Sequence, residues 1–143
     1  MTTIAYDGKT LVADRQCTHE STGRRSELTK VFKLENNDCF QAIGFSGNPD
    51  CIPRVLRGLE QNDYDWETNE IKFVALLIDW AGTAWLVEEE GEVCEVPTPW
   101  SIGSGSAFAH GAMEADCTAQ EAVKIASNLD MYTGRGFDEI EIN

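Results

Sequence analysis

The sequence predicts a single α+β domain over residues 1–143, and three observations carry that reading. Strand signals fill the first third of the chain, with Asp7-Gly8 set between the runs TTIAY and KTLVAD; Asp-Gly between two β-type runs favours a tight hairpin. Helical periodicity is confined to three later segments, with strands between and after them. Antiparallel strands segregated from helices define the α+β class.

The elements follow in order. Residues 2–6 and 9–14 are the two arms of the first hairpin. Residues 15–28 are polar, contain Gly23 and three arginines, and read as a loop. TKVFKL at 29–34 alternates as a strand does, and Asn36-Asn37-Asp38 turns it into CFQAIGF at 39–45. Ser46-Gly47-Asn48-Pro49 then changes the pattern. Asn48 suits an N-cap and Pro49 the first helical turn. Ile52, Val55, Leu56 and Leu59 recur at helical spacing, which predicts a helix over 49–60. QNDYDWETNE, 61–70, is polar and irregular. KFVALLID at 72–79 is a continuous apolar run, the pattern of a strand covered on both faces. Trp80-Ala81-Gly82 turns it into TAWLVEEE, and Gly91 turns that into EVCEV. Residues 100–103 form a short strand before a helix over about 105–115. Thr118 with Glu121 makes a capping box for a helix over 119–131. Gly134 and Gly136 end it, and FDEIEI alternates as a last strand.

Composition narrows the function. With 143 residues, a folded chain buries roughly two-thirds of its surface and needs no staples. The net charge is −14, from 25 acidic against 11 basic residues. That balance repels phosphate backbones and anionic lipids, so no nucleic-acid or membrane partner is expected. Arg24, Arg25, Lys30 and Lys33 form the one basic segment. Cys17, Cys39, Cys51, Cys94 and Cys117 are odd in number and make no CxxC pair, which reads as free thiols in a reducing compartment. There is no signal-peptide pattern, and no apolar run approaches the roughly 20 residues that span a bilayer. The expected location is the cytoplasm.

The chain starts its structure at residue 2, where most chains fray, and starts it with a hydroxyl. Methionine aminopeptidases generally remove Met1 before a small residue. Thr2 would then carry its hydroxyl beside its own α-amine, whose reference pKa of about 7.7–8.0 leaves it partly neutral near pH 7. One residue would supply nucleophile and general base. Asp14 ends the second strand and Lys30 opens the next one; a Lys-Asp pair near the hydroxyl would depress its pKa and orient the amine. Gly47 lies at a strand-to-helix turn, where backbone N–H groups can form an oxyanion hole. Ser104 follows a strand end in IGSGS, and Asp130 and Thr133 close the last helix in DMYTG.

TTIAYDGKTLVAD, LTKVFKL, AIGFSGNPD, IGSGSAFAHGAMEA and NLDMYTGRG together resemble proteasome β-type subunits, and most of all the bacterial HslV protease subunits. The resemblance runs from Thr2 to about Ile142 and keeps the motif order. It implies the N-terminal-nucleophile (Ntn) hydrolase fold, a four-layer αββα sandwich of two antiparallel sheets. Only 61–70 stands where the family has a second long helix, which implies a thinned helical layer. Function follows as a threonine-type peptidase acting on polypeptides. The implied roles are Thr2 as nucleophile, Lys30 and Asp14 as its charged partners, Ser104 as support for the amine or a water, and Gly47 as oxyanion donor. Asp130 and Thr133 match the proteasome form of the helix end, D-x-Y-[ST]-G. Thr18 would pair with the substrate backbone, while Cys17 and Phe45 would line its side-chain pocket. No cofactor is required; carbonyls of the segment with Ser127, Asp130 and Thr133 can hold a structural sodium ion. The implied partners are further copies of the chain, in a ring, and an ATP-dependent unfoldase.

Other readings compete. Thr2 and Thr3 also fit ordinary strand threonines, Lys30 a solvated strand lysine, and Asp14 and Asp130 turn caps. Gly103-Ser104-Gly105 lacks the third glycine of a dinucleotide fingerprint. His19 and His110 read as surface or helix-face residues. Cys17-Thr18-His19 could pair a thiol with a base, but adjacent side chains diverge. Two other functions share the pattern: an Ntn-type amidase acting on a small amide, and a non-catalytic assembly protein.

Overall fold

A computed structural model describes residues 2–19, 21–64, 73–88 and 92–143. Asp7 Oδ1 accepts the N–H groups of Lys9 and Thr10 (both 2.9 Å), and Gly8 adopts φ +98°, so the predicted turn joins β1 (Ile4–Tyr6) to β2 (Thr10–Asp14). Antiparallel partners β10 (Trp100–Ile102) and β11 (Phe137–Glu141) complete a sheet ordered β10-β1-β2-β11. The second sheet is ordered β5-β6-β7-β8-β9, from β5 (Val31–Lys33), β6 (Phe40–Gly47), β7 (Phe73–Asp79), β8 (Ala84–Val87) and β9 (Val93–Val96).

Residue parity sorts the cores, because alternate strand residues face opposite sides. Ile4, Tyr6, Leu11, Ala13, Leu76 and Ile78 pack between the two sheets. Ala5 and Val12 face away from them, onto α2 (Ser106–Glu114) and α3 (Ala119–Leu129), whose Ala109, Ala119, Ala122 and Ala126 are buried against the sheet. Ile43, Phe45, Ala75 and Leu77 face α1 (Ile52–Glu60) across the other side. Helices, sheet, sheet and helix therefore stack in four αββα layers, and β7 reads as a continuous apolar run because both its faces are covered. α1 is the one helix on its side among the described residues. Most of the polar segment 61–70, expected to stand where the family has a second helix, lies outside those residues, as does the end of TAWLVEEE.

Two expectations change. The predicted loop at 15–28 contains a two-stranded hairpin, β3 (Gln16–Thr18) with β4 (Arg25–Glu27), in the register Cys17↔Ser26 and Thr18↔Arg25. All three β4 residues are exposed, so no apolar alternation marked it. The helix expected to begin at Pro49 opens as a 3₁₀ turn, Pro49–Cys51, where Asn48 Oδ1 accepts the N–H of Asp50 (3.0 Å). The capping box forms as read: Thr118 Oγ1 accepts from Glu121 N (3.2 Å), and Glu121 Oε1 accepts from Thr118 N (3.0 Å). α3 stops at Leu129, short of the expected 131, with Asp130 as its C-cap. No described helix is long and apolar enough to cross a membrane.

Candidate active site

The hairpin register places Thr3 opposite Asp14: the N–H of Asp14 donates to the carbonyl of Thr3 (3.1 Å). Thr2 therefore lies beside the Asp14 carboxylate at one end of the first sheet. Lys30 comes from the second sheet, fixed by Phe45 N–H donating to its carbonyl (2.8 Å). The three side chains meet. The Thr2 hydroxyl donates to Asp14 Oδ1, and Lys30 Nζ donates to Thr2 Oγ1. Lys30 Nζ also donates to Asp14 Oδ1 (2.8 Å) and to the Gln16 carbonyl (2.6 Å).

All three are buried: Thr2 is 2% exposed, Asp14 0% and Lys30 4%. A buried charge survives only when paired and hydrogen-bonded. Asp14 meets that condition: besides Lys30 and Thr2, it accepts the N–H groups of Thr3 (3.0 Å), Gln16 (3.2 Å) and Gly134 (3.0 Å). For Lys30, burial pulls the ammonium pKa below its usual value, and the Asp14 charge beside it works in the opposite direction. The Lys30 charge is thus held by Asp14 while one of its N–H groups donates to the Thr2 oxygen.

A second group flanks the first. Ser104 Oγ and Thr133 Oγ1 both donate to Asp130 Oδ2 (2.6 Å each). Since the Thr133 proton is committed there, Thr3 Oγ1 donates to Thr133 Oγ1 (2.8 Å). Burial opposes ionisation of Asp130, but the hydrogen bonds from Ser104, Thr133 and the Tyr132 N–H outweigh it and hold the carboxyl below its ordinary value. Ser104 Oγ also lies 3.3 Å from the Thr2 carbonyl oxygen, which accepts the Gly105 N–H at 3.2 Å.

A cleft of about 600 Å³ extends from Thr2 and Lys30 past Cys17, Thr18 and Phe45 to Gly47 and Asp50. Gly47 ends β6 with φ +106°. Its N–H lies two residues beyond that of Phe45, so strand alternation directs it along the same edge, past Lys30 and toward the cleft. The structure thus gathers Thr2, Asp14 and Lys30, sets Ser104, Asp130 and Thr133 beside them, and lines one cleft with Cys17, Thr18, Phe45 and Gly47. Ser127 stands apart: it is exposed, and its hydroxyl donates back to the Lys124 carbonyl (2.7 Å). His19 Nε2 lies 3.3 Å from Ser26 Oγ, so the ring is directed at β4.

Several neighbours were not singled out by sequence. Thr3 couples the two groups. Gln16 supplies backbone on both sides of the ion pair, and its side chain donates to Thr18 Oγ1 (3.0 Å) and the Met131 carbonyl (2.9 Å). At Gly103, φ +99°, a Cβ would fall 2.1 Å from the Thr2 carbonyl oxygen; at Gly105 it would fall 2.0 Å from Thr3 Oγ1. The two glycines in IGSGS were the available signal: they leave room for the chain's first residues.

Neither a protein-family model nor a curated protein matches the chain. Solved structures do. Eukaryotic HslV from Trypanosoma brucei superposes with a TM-score of 0.69 at 22% identity, covering 99% of this chain and 98% of that one. Thiobacillus denitrificans BPH gives 0.68 at 16% identity, covering 99% and 97%. The same protein in complex with epoxomicin gives 0.69 at 17%, again covering 99% and 97%. Over its full length, then, the chain has the fold of HslV, the αββα architecture that its own strand parity and helix placement build.

Proposed function

We propose that the chain is a threonine-type peptidase in which Thr2, freed by removal of Met1, is the nucleophile. The carrying observation is the Thr2 hydroxyl held between Lys30 Nζ and Asp14 Oδ1 at the end of a cleft. With Met1 attached the Thr2 nitrogen is an amide and cannot act as base; once free, it is an amine on the same residue. The hydroxyl oxygen attacks the scissile carbonyl carbon while its proton passes to the amine. Lys30 stabilises the oxygen as it loses that proton, and Asp14 keeps Lys30 charged. The Gly47 N–H donates to the developing oxyanion. Collapse breaks the C–N bond, the leaving amine takes the proton, and an ester to Thr2 remains. Water, giving a proton to the amine, then attacks the ester, and the amine returns that proton to the Thr2 oxygen as the acid leaves. Ser104 and Asp130 flank the amine and orient it, and Thr133 fixes Asp130.

Thr18 and Cys17 in the cleft wall support a polypeptide substrate laid along β3. Phe108, Ile125 and Leu129 are 41%, 36% and 60% exposed on the α2–α3 layer, which supports assembly of several copies through that face. A ring and an ATP-dependent unfoldase partner rest on the family resemblance, and a cytoplasmic location on the reading of the five cysteines as free thiols. A sodium ion at the carbonyls of Ser127, Asp130 and Thr133 would be structural. The Asp130 carbonyl already accepts the Thr133 N–H (3.1 Å), which leaves it one lone pair for a cation.

The test is mass spectrometry for loss of Met1, joined to hydrolysis assays of a peptide amide. Thr2→Ala should abolish turnover and leave the fold intact; Thr2→Ser, which keeps hydroxyl and amine, should retain part of it. Epoxomicin, found with BPH, should block the unaltered protein. Undiminished turnover in Thr2→Ala overturns the mechanism.

A further inference from the structure

In a chain with 25 acidic and 11 basic residues, Arg24 and Arg25 stand side by side at the β3–β4 hairpin, both exposed. Among the described residues neither guanidinium meets a carboxylate, whereas Arg15 approaches Glu27 (3.8 Å) and Asp138 (3.6 Å). The two arginines line a recess of about 450 Å³ with His19 and Ser21. His19 and Ser21 also line the cleft that begins at Thr2. The recess and the cleft therefore share a wall.

We propose that Arg24 and Arg25 form a subsite for an acidic side chain of the polypeptide substrate. This rests on the peptidase reading above and adds a preference to it. β3 is paired on one edge, by β4, and its other edge pairs with no strand among the described residues. A peptide added to that edge makes the strand order substrate-β3-β4. Thr18 is opposite Arg25, so the two side chains share a face. With strands about 4.8 Å apart, Arg25 starts roughly 10 Å from the substrate backbone and reaches over the short Thr18 side chain. An extended arginine and a glutamate together span that gap, and the guanidinium fork matches a carboxylate. The turn that carries the arginines is set by its own backbone: His19 N–H donates to the Arg24 carbonyl (2.8 Å), and Gly23 N–H to the His19 carbonyl (2.7 Å). The acidic surface repels such a substrate at long range, but screening at physiological salt confines that repulsion to about 8 Å. The local cations then decide.

The experiment uses fluorogenic peptides that differ only in Glu, Gln or Lys at one position within four residues of the scissile bond. At the position that meets the subsite, the unaltered protein should favour Glu over Gln by about 2- to 5-fold in kcat/KM, the range of an exposed ion pair. The Arg24→Gln/Arg25→Gln variant should treat the two alike, and Arg24→Glu/Arg25→Glu should prefer Lys. Equal rates for Glu and Gln peptides at every position, or a Glu preference that survives in the double Gln variant, overturns the proposal. Fluorescence anisotropy of the same peptides on Thr2→Ala reads the subsite without turnover. Tighter binding of the Glu peptide supports it, and equal binding overturns it even if the protein cleaves nothing. Cleavage of the Gln peptide, and its loss in Thr2→Ala, reports separately on the peptidase reading.

Discussion

Lys30→Met keeps the aliphatic stem and removes the ammonium. Lys30 Nζ makes three contacts, to Thr2 Oγ1, Asp14 Oδ1 and the Gln16 carbonyl, in a side chain that is 5% exposed. Removing one partner of a buried ion pair costs about 3–5 kcal/mol, because the other charge is left uncompensated. Here Asp14 keeps three backbone N–H donors and the Thr2 hydroxyl, so the low end applies, about 3 kcal/mol. At this chain length that lowers Tm by roughly 10 °C. Adding Asp14→Asn removes the stranded charge, so the double variant should regain more than 1 kcal/mol on Lys30→Met, a coupling of the size seen between residues in contact. Peptidase turnover should fall by roughly 10²- to 10³-fold, the scale of one positioned electrostatic group. Lys33→Met, at an exposed site in β5 just after Lys30, should change neither quantity. The pH dependence has a definite sign. Burial holds the folded Lys30 pKa below its unfolded value of about 10.4. Between the two values the unfolded chain binds more protons, so the Lys30 contribution to stability rises with pH and reaches its full value above the unfolded pKa. The unaltered protein should thus gain on Lys30→Met in urea unfolding as the pH rises toward the unfolded pKa of about 10.4. A Tm within 2 °C or so of the parent, or a double variant no better than the sum of the singles, refutes the buried-pair account.

Three further outcomes are expected. Gly105→Ala sets a Cβ 2.0 Å from Thr3 Oγ1 and should cost about 1–3 kcal/mol in chemical denaturation, the usual range for overpacking; Gly111→Ala, with nothing within 4 Å inside α2, should instead stabilise by up to about 1 kcal/mol. Sedimentation at micromolar concentration should show species larger than the 15.8 kDa chain, and low ionic strength should weaken them as repulsion between acidic copies is less screened; a lone monomer at physiological salt defeats assembly. Exchanging sodium for choline should lower Tm if the carbonyls of Ser127, Asp130 and Thr133 hold the ion; equal melting in both salts removes that site.

The sequence by itself determined what local chemistry controls. Asp7-Gly8 dictated the first hairpin, because a side-chain oxygen and a residue free to take positive φ close that turn within a few atoms. Thr118 and Glu121 dictated the start of α3 by satisfying each other's backbone donors. The apolar run before Asp79 marked a strand covered on both faces. Thr2, Asp14 and Lys30 were legible as candidates because their order matched a family pattern, not because spacing placed them together. Only the tertiary structure decided that the Thr2 hydroxyl meets partners 12 and 28 residues away, and that Thr3 reaches Thr133 across 130 residues. It also turned an apparent loop into the β3–β4 hairpin, whose exposed side chains carry no alternation to read. Local patterns register only what neighbours in sequence do to one another. These contacts arise where the ends of two sheets are pressed together by cores formed far from the site.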